Sequence, residues 1–229
     1  MSGVIVTGPP KADPKDVEAI AAYGTATVHE AMGRTGLLGT RLRPVQQGVR
    51  VAGTAVTVLS WPGDNLMIHA AVEQCGEGDV LVVTTTSPST DGMFGELLAT
   101  SLRSRGVAGI VIDAGVRDVA DLTAMDFPAW SRAIHSQGTV KATAGSVNIP
   151  VVCAGQLVCP GDIVIGDIDG VCVVPKQNDA EVVTSSQARL AKEAKAREKL
   201  RAGELGLDFY GLRAKLTELG VAWVDQDSE

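Results

Sequence analysis

Two adjacent side chains, Arg117 and Asp118, are of the types needed for chemistry on an anionic substrate. They lie in GIVIDAGVRDVADL (109–122), where an apolar stretch typical of a buried strand gives way to a helical pattern. An arginine presents a planar fork that binds a carboxylate or a developing enolate oxygen, and a carboxylate binds a hard cation. In the alternative interpretation, Asp118 caps the following helix and Arg117 pairs with solvent or a nearby acid. Asp121, one turn later, is predicted to lie on the surface or behind the site.

A second strand-to-helix junction lies in TTTSPSTDGMFGELLA (84–99), which has a polar loop containing glycines. Free backbone N–H groups at the start of the helix, on Gly95, Glu96, Leu97 and Leu98, form a site suited to a carboxylate. The glycines would allow the backbone to approach a ligand closely. The alternative is a flexible loop with two convenient glycines.

The two junctions would meet if their strands are parallel neighbours. Glu96 and Asp118 would then face one cation, with Arg117 beside it. Magnesium keeps several waters and takes only one or two protein carboxylates, so a sparse acidic pair suffices. For Glu96 the alternative is simpler, because the helix dipole favours an acidic residue in any first helical turn.

The histidines and lysines give weaker signals. His29 and His69 fall within helical patterns, where core or half-buried histidines are the more common case, and His135 falls in a polar loop. A Schiff base requires a desolvated lysine, but every lysine lies outside the predicted buried strands, and only Lys141 in GTVKAT merits attention. The sequence contains no HExxH, Ser-His-Asp or P-loop motif. A metal electron sink is therefore favoured over covalent imine chemistry.

Alternating helices and strands must position these residues. Strands are predicted over 51–60, 79–86 and 109–115, and helices over 14–32, 64–75 (with Asp64 as its N-cap), 95–106 and 118–125. This alternation predicts parallel strands joined by right-handed crossovers. Residues 128–175 contain further strands broken by turns at Pro160-Gly161-Asp162 and Asp169-Gly170.

The composition changes after Pro175. Residues 178–204 are rich in Ala, Glu, Lys and Arg and predict a long exposed helix, followed by a second helix over 208–219. We therefore expect an α/β core over 1–176 and a helical C-terminal arm over 177–229. A long polar helix that cannot bury its own faces often packs on a neighbouring subunit, which favours an oligomer.

Charge and composition exclude several classes of protein. With 20 basic and 27 acidic residues the net charge is −7, which argues against nucleic acid as a main partner. No signal peptide is recognised, and no apolar run reaches the roughly 18 residues of a membrane span. The chain has four cysteines, and none forms a CxxC pair: Cys75, Cys153, Cys159 and Cys172. This pattern favours reduced, buried thiols in a cytoplasmic protein.

The two junctions resemble a known family. GELLATSLRSRG followed by GIVIDAGVRDVADL matches the acid-x20-Arg-Asp-x2-acid pattern of the class II pyruvate aldolases, with Glu96, Arg117, Asp118 and Asp121 in the pattern's positions. These are the 4-hydroxy-4-methyl-2-oxoglutarate and 4-carboxy-4-hydroxy-2-oxoadipate aldolases, in a superfamily that includes the regulator of ribonuclease E activity A. The resemblance extends over roughly residues 15 to 205.

The resemblance implies an α/β/β/α sandwich like the phosphohistidine swivelling domain, assembled as a homotrimer or homohexamer with active sites between subunits. It implies Mg2+ or Mn2+ as cofactor, with Asp118 as the metal ligand and Arg117 binding pyruvate and stabilising its enolate. The backbone from Gly95 to Leu98 would bind the pyruvate carboxylate. Glu96 would act through water, although the family usually has Asp there. Glu193 matches a glutamate that an adjacent subunit contributes.

The implied activity is metal-dependent retro-aldol cleavage of a 4-hydroxy-2-oxo acid to pyruvate and a second oxo acid, with oxaloacetate decarboxylation as a side activity. Two alternatives remain open. One is a dedicated oxaloacetate decarboxylase with the same site, and the other is a non-enzymatic binding protein that regulates a ribonuclease. The long helical arm favours the aldolase branch, because the ribonuclease regulator lacks it.

Overall fold

A mixed β-sheet organises the chain up to Gln187, as seen in a computed structural model that describes residues 3–226. The strands are β1 (Arg43–Pro44), β2 (Val51–Ser60), β3 (Asp79–Thr85), β4 (Gly92–Phe94), β5 (Gly109–Val116), β6 (Ala129–Ile134), β7 (Ser146–Val147), β8 (Val151–Cys153), β9 (Gln156–Val158), β10 (Ile163–Gly166) and β11 (Val171–Val174). The helices are α1 (Pro14–Tyr23), α2 (Thr25–Ala31), α3 (Leu66–Val72), α4 (Glu96–Arg103), α5 (Val119–Ala124), α6 (Asp179–Arg201), α7 (Gly206–Phe209) and α8 (Leu212–Glu218).

The main sheet has the order β1-β6-β5-β3-β2-β10-β11, with β4 beside β5 and β7 beside β2. Its central strands β2, β3, β5 and β6 are parallel, and α3, α4 and α5 form the crossovers between them. The predicted parallel units are therefore confirmed. Both predicted junctions lie at the carboxyl ends of β3 and β5, which are neighbours in the sheet, as open α/β folds require of a ligand site.

The sheet curls back on itself. Trp130 of β6 is fully buried, and its indole N–H donates to the carbonyl of Asp167, just after β10, at 2.9 Å. A Cβ added to Gly166 would lie 2.9 Å from the same ring. Since three strands separate β6 from β10 in the sheet, this contact requires a strong curl, and Gly166 leaves room for the ring.

Each face of the sheet buries its own core. Helices α3, α4 and α5 pack on one face, where the largest apolar side chains include Ile68, Leu81, Phe94, Leu102, Ile112 and Leu122. The β8–β9 hairpin lies on the other face, over Val82, Val111, Trp130 and Val164. Helices α1 and α2 cover β10 and β11. The expected α/β fold with two β layers and helical layers is confirmed, and one of the two β layers is the curled main sheet.

Two predicted helix boundaries are wrong. The helix predicted over 14–32 is broken at Gly24, whose φ of 84° is unfavourable for other residues. The break lets the N–H and hydroxyl of Thr25 bind the Asp167 carboxylate at 2.8 and 2.6 Å. Asp64 is not an N-cap, since α3 begins at Leu66 with Asn65 in the capping position.

The Asp64 carboxylate instead ties α3 to the loop before β7. It accepts hydrogen bonds from the backbone N–H of Leu66 at 2.9 Å, Ala142 at 2.9 Å and Thr143 at 2.7 Å. Burial alone would raise the pKa of Asp64, but these N–H groups outweigh burial and lower it. This link holds residues 141–143 beside the first turn of α3, and thereby positions Lys141.

The residues from Ala188 onward form a second compact unit. It contains the C-terminal part of α6, which confirms the long polar helix, and then α7 and α8, which replace the single helix predicted over 208–219. Gly211, with φ of 69°, separates these two helices. Large apolar side chains of this unit are exposed, including Tyr210, Leu219, Trp223 and Val224.

Neither disulfides nor membrane-spanning helices occur within residues 3–226. All four cysteines are thiols, with Cys159 half-buried and the others buried. No helix in this range combines the length and hydropathy that a bilayer span requires.

Candidate active site

A cavity of about 90 Å³ opens where β4 and β5 end and α4 begins, beside the start of α3. Both predicted junctions contribute to its walls, which are formed by Asn65, His69, Gly92, Met93, Gly95, Leu97, Leu98, Arg117, Asp118 and Lys141. At 10–15 Å³ for each water-sized group, the volume corresponds to roughly six to nine such groups. The cavity is therefore large enough for a small organic acid or for one end of a longer one.

Arg117 and Asp118 lie side by side at this cavity, directly after β5. The Arg117 N–H donates to the Phe94 carbonyl at 2.9 Å, and its Nε lies 3.5 Å from Asp118 Oδ2. Both side chains are partly exposed, at 44% and 37%. The ion pair is therefore loose, and both charges remain available to a ligand.

Asp118 has a strained backbone, with φ 57° and ψ 38° in the left-handed region. Such a conformation costs a non-glycine residue on the order of 1 kcal/mol and is often found at functional sites. Asp118 occupies the N-cap position of α5, as the alternative interpretation had it, but its side chain makes no capping hydrogen bond there. Instead, Oδ2 accepts the N–H of Glu96 at the start of α4, at 3.1 Å.

Gly95 is required by this close approach rather than by its backbone angles. Its φ of −161° is ordinary extended backbone, but an added Cβ would lie 2.3 Å from Asp118 Oδ2. The absence of a side chain lets the strand-end carboxylate reach the first turn of α4. Within residues 3–226, the N–H groups of Leu97 and Leu98 have no hydrogen-bond acceptor. They are free donors at a helix N-terminus, suited to a carboxylate.

Glu96 contributes its backbone to the Asp118 interaction, while its side chain points elsewhere. Its carboxylate accepts the Thr100 hydroxyl at 2.8 Å. Together with Asp121 it lines a shallow depression between α4 and α5, and neither residue lines the cavity. A water-mediated role for Glu96 at the cation remains a prediction.

Five residues of the cavity were not predicted as site residues: Asn65, His69, Gly92, Met93 and Lys141. Asn65 is buried; its Nδ2 donates to the Met93 carbonyl at 3.2 Å, and its Oδ1 has no partner within the described range. His69 lies one turn along α3, and burial, followed by the Lys141 charge, lowers its pKa. Asn65 occupies the N-cap position of α3 and His69 lies four residues later, so both fall on one side of a mostly apolar helix. In the sequence, this polar pair was the available signal that α3 contributes to a site.

Glu193 lies in the second unit, within α6. Its Oε1 is 2.9 Å from the Arg189 Nε, one helical turn earlier. This is the helix-surface pairing that the spacing of the two residues favours. The role of Glu193 at an adjacent subunit's site is untested by a single chain and remains a prediction.

The residues present suit a sparsely ligated hard cation. Within residues 3–226 no group of three or more His, Cys, Asp or Glu residues is placed to hold a metal ion together. Asp118 lines the cavity, and its Oδ1 takes part in none of the hydrogen bonds described for residues 3–226. One free carboxylate oxygen fits Mg2+ or Mn2+, which bind through one or two carboxylates and retain waters.

Comparisons with known proteins agree with this geometry. The RraA-like (Aldolase/RraA) family profile matches residues 25–173. A Halalkalibacterium halodurans protein named "Putative 4-hydroxy-4-methyl-2-oxoglutarate aldolase" is 32% identical over 85% of this chain and 90% of its own. Streptomyces coelicolor RraAS2, described as an unusual member of the RNase ES inhibitor RraA protein family, superposes with a TM-score of 0.73 at 27% identity, covering 82% of this chain and 98% of its own.

An uncharacterized protein from Pseudomonas syringae pv. tomato has the same fold, with a TM-score of 0.73 and 26% identity over 85% of this chain and 96% of its own. The family match covers well over half of the 229 residues and includes both strand-to-helix junctions. The resemblance inferred from the junctions is therefore confirmed, and the chain belongs to the RraA-like (Aldolase/RraA) family.

Proposed function

We propose that this chain is a divalent-metal-dependent aldolase that cleaves a 4-hydroxy-2-oxo acid to pyruvate and a second oxo acid. The substrates would be 4-hydroxy-4-methyl-2-oxoglutarate or 4-carboxy-4-hydroxy-2-oxoadipate. The observation that carries the proposal is the placement of Arg117 and Asp118 together on one small cavity, against the free N–H groups of α4. The name of the Halalkalibacterium halodurans relative supports the same chemistry.

Substrate binding begins with its carboxylate. The N–H groups of Leu97 and Leu98 would donate to one carboxylate oxygen, aided by the positive end of the α4 dipole. The C2 oxygen would then lie toward Arg117, whose guanidinium lines the same cavity. The Arg117 backbone is held at the cavity by its hydrogen bond to the Phe94 carbonyl, while the side chain stays partly exposed and available to substrate.

Asp118 would hold Mg2+ or Mn2+ through Oδ1. A bound divalent cation supplies positive charge that polarises the C2 oxygen. In the proposed reaction, an ordered water acts as the base that removes the C4 hydroxyl proton, and the C3–C4 bond breaks as the C4 oxygen becomes a carbonyl. The bond electrons pass through C3 and C2 to the C2 oxygen, giving an enolate that Arg117 stabilises. Protonation at C3 gives pyruvate.

Two acidic residues complete the proposed site. Glu96, held by Thr100, would act on the cation through water. Glu193 of the partner subunit would approach the same cation in a homotrimer or homohexamer. The exposed apolar side chains of the second unit, Tyr210 and Trp223 among them, support an arm that packs on a neighbouring subunit. The reduced cysteines are compatible with the cytoplasm.

A substrate with a distal carboxylate requires a second positively charged side chain besides Arg117, and Lys141 provides it. It lines the cavity opposite α4 and is exposed, which suits ion pairing with a carboxylate better than imine formation. Within residues 3–226, Asn65 Oδ1 is buried and without a partner, and it would accept a hydrogen bond from a substrate hydroxyl or a water.

Because Lys141 would pair with a carboxylate rather than form an imine, we expect sodium borohydride to trap no covalent adduct between this chain and pyruvate.

The same enolate is produced by decarboxylation of oxaloacetate, so that reaction is the proposed side activity. A dedicated oxaloacetate decarboxylase would instead turn over oxaloacetate faster than either 4-hydroxy-2-oxo acid. The kinship with the ribonuclease inhibitor family supports a third possibility, a regulatory binding protein. That function predicts no metal-dependent pyruvate release from any of the three substrates.

A coupled pyruvate-release assay tests the proposal. Pyruvate formation should require a divalent cation and stop when a chelator is added. Arg117→Ala should lower turnover about 10²- to 10³-fold, as expected for loss of a group that stabilises transition-state charge. Arg103→Ala, in the last turn of α4 and exposed, is the matched control and should keep normal turnover. Near-normal aldolase activity in metal-replete Arg117→Ala would overturn the mechanism.

A further inference from the structure

We infer that a second cleft, lined by Arg41, Arg43 and Arg132, binds a small dianion such as a dicarboxylate. This arginine cleft lies where β1 pairs with β6 and has a volume of about 210 Å³. Its remaining walls are Pro44, Val45, Ser131, Ala133 and Ile134. It has no lining residue in common with the active-site cavity.

The Asp113 carboxylate holds two of the three guanidinium groups in place, those of Arg41 and Arg132. Asp113 of β5 is almost completely buried. Its carboxylate accepts hydrogen bonds from Nε and Nη2 of Arg41, at 2.9 and 2.8 Å, and from Nε of Arg132, at 2.9 Å. The N–H of Ala154 also donates to it, at 3.0 Å. Surface arginines normally lose side-chain entropy when they bind a ligand. Here Asp113 has already ordered two of them, so that cost is reduced.

The ordered guanidiniums still have free donors. Each arginine has five N–H donors, and Asp113 engages only one edge of Arg41 and the Nε of Arg132. Within residues 3–226, no hydrogen bond uses the Nη1 of Arg41 or either Nη of Arg132. In the same range, the Arg43 side chain has no hydrogen bond or ion pair and is exposed. These N–H groups are available to a bound oxyanion.

The charge of the cleft opposes that of the protein as a whole. Three arginines and one aspartate leave a local charge of +2, whereas the chain carries −7. None of the residues lining the cleft is acidic. A monoanion would leave half of this charge unbalanced, while a dianion balances it. Arginine forks match the planar geometry of carboxylates and also bind phosphate.

The size and walls of the cleft favour a dicarboxylate among dianions. The cleft holds roughly 14 to 21 water-sized groups at 10–15 Å³ each, more than twice the active-site cavity. Val45 and the largely exposed Ile134 provide apolar surface between the charged groups. A four- or five-carbon dicarboxylate combines two charged ends with a short apolar middle.

Isothermal titration of the full-length chain with succinate, inorganic phosphate and acetate tests this inference. We expect one succinate per chain, with acetate binding at least about tenfold more weakly. Arg43→Ala should weaken succinate about tenfold, because a charge-assisted hydrogen bond is lost. Arg43→Lys should recover part of the affinity, since it restores the charge but not the fork. Tighter succinate supports a dicarboxylate, and tighter phosphate supports a phosphorylated ligand in the same dianion site.

Two controls locate the binding. Arg50→Ala removes another exposed arginine outside the cleft and should leave succinate affinity unchanged. Arg117→Ala should also leave it unchanged, because Arg117 belongs to the active-site cavity. Loss of binding in Arg117→Ala with retention in Arg43→Ala would overturn the inference, as would the absence of succinate binding at millimolar concentration. Failure of aldolase activity alone would leave this test unaffected.

Discussion

Strand β5 and the junction that follows it contain two aspartates five residues apart, Asp113 and Asp118, each close to arginine side chains. They differ in how completely the carboxylate is satisfied by hydrogen bonds. Asp113 is buried and accepts four hydrogen bonds, from Arg41, Arg132 and the Ala154 backbone. Asp118 is partly exposed, accepts one backbone N–H, and lies 3.5 Å from Arg117. The same residue types therefore have two uses. Asp113 with Arg41 and Arg132 forms a structural clamp, and Asp118 with Arg117 forms an open site.

The backbone conformation at the two aspartates differs as well. Asp113 lies within β5, at an irregularity in its pairing with β6, and is not among the residues with positive φ, whereas Asp118 adopts left-handed angles that strain the chain. The satisfied carboxylate contributes to stability, and the unsatisfied carboxylate on strained backbone is available to a ligand. In this protein the number of hydrogen bonds that an aspartate accepts, rather than its residue type, separates a stabilising carboxylate from one available for chemistry.

The largest expected effect is on stability at the clamp. Asp113→Ala should lower the free energy of unfolding by about 3–5 kcal/mol, because two partly buried guanidiniums would lose their common partner. Urea unfolding followed by circular dichroism measures this change. Asp121→Ala, exposed on α5, should change stability by no more than about 0.5 kcal/mol. Equal effects of the two substitutions would remove the distinction drawn between the two aspartates.

The next effect is on activity at the open site. Gly95→Ala should lower turnover about 100-fold, since the added Cβ would lie 2.3 Å from Asp118 Oδ2 and displace that carboxylate. Gly76→Ala is the matched control, because its Cβ would have no neighbour nearer than 3.9 Å. Steady-state pyruvate release provides the measurement. Normal turnover in Gly95→Ala would mean that the contact between α4 and Asp118 is dispensable.

The smallest effect is the pH dependence of the clamp. Burial alone would raise the pKa of Asp113, but the hydrogen bonds from Arg41 and Arg132 outweigh it and lower the pKa to about 2. The stabilisation is therefore complete above the ordinary value of 3.8 and is lost as the pH falls toward 2. From the size of this shift we expect a loss of about 2 kcal/mol.

Urea unfolding of the native chain and of Asp113→Asn at about pH 6 and about pH 3 measures this pH dependence. The stability difference between the two proteins should narrow at the lower pH. A difference that stays constant or widens would contradict the lowered pKa of Asp113.

The sequence predicted the local features of the fold well and the long-range ones poorly. The strand over 51–60 and the helix beginning near Glu96 follow from short-range apolar patterns, and both are confirmed. The three-residue strand β4 was missed, because so short a segment has no measurable period. The curl that brings Trp130 to Gly166 depends on contacts 36 residues apart, which pattern analysis does not reach.

The candidate site follows the same division. Arg117 and Asp118 were recognisable because one strand-to-helix junction contains both. The clamp was missed, because Arg41 lies 72 residues from Asp113, although a lone aspartate in the apolar strand GIVIDAG was a signal of a buried, paired charge. Asn65 and Lys141 meet at the cavity because the Asp64 carboxylate and backbone hydrogen bonds to Val140 join the start of α3 to the loop before β7.

Measurement of Mn2+ binding and turnover in Asp118→Asn tests the central claim most directly. Asparagine has nearly the same shape and tolerates left-handed backbone, so the substitution removes the charge with little effect on the fold. Asp121→Asn, three residues later, is the matched control. We predict that Asp118→Asn loses Mn2+ binding and about 100-fold or more in pyruvate release, while Asp121→Asn keeps both. Native Mn2+ affinity and turnover in Asp118→Asn would contradict the proposed role of the Asp118 carboxylate.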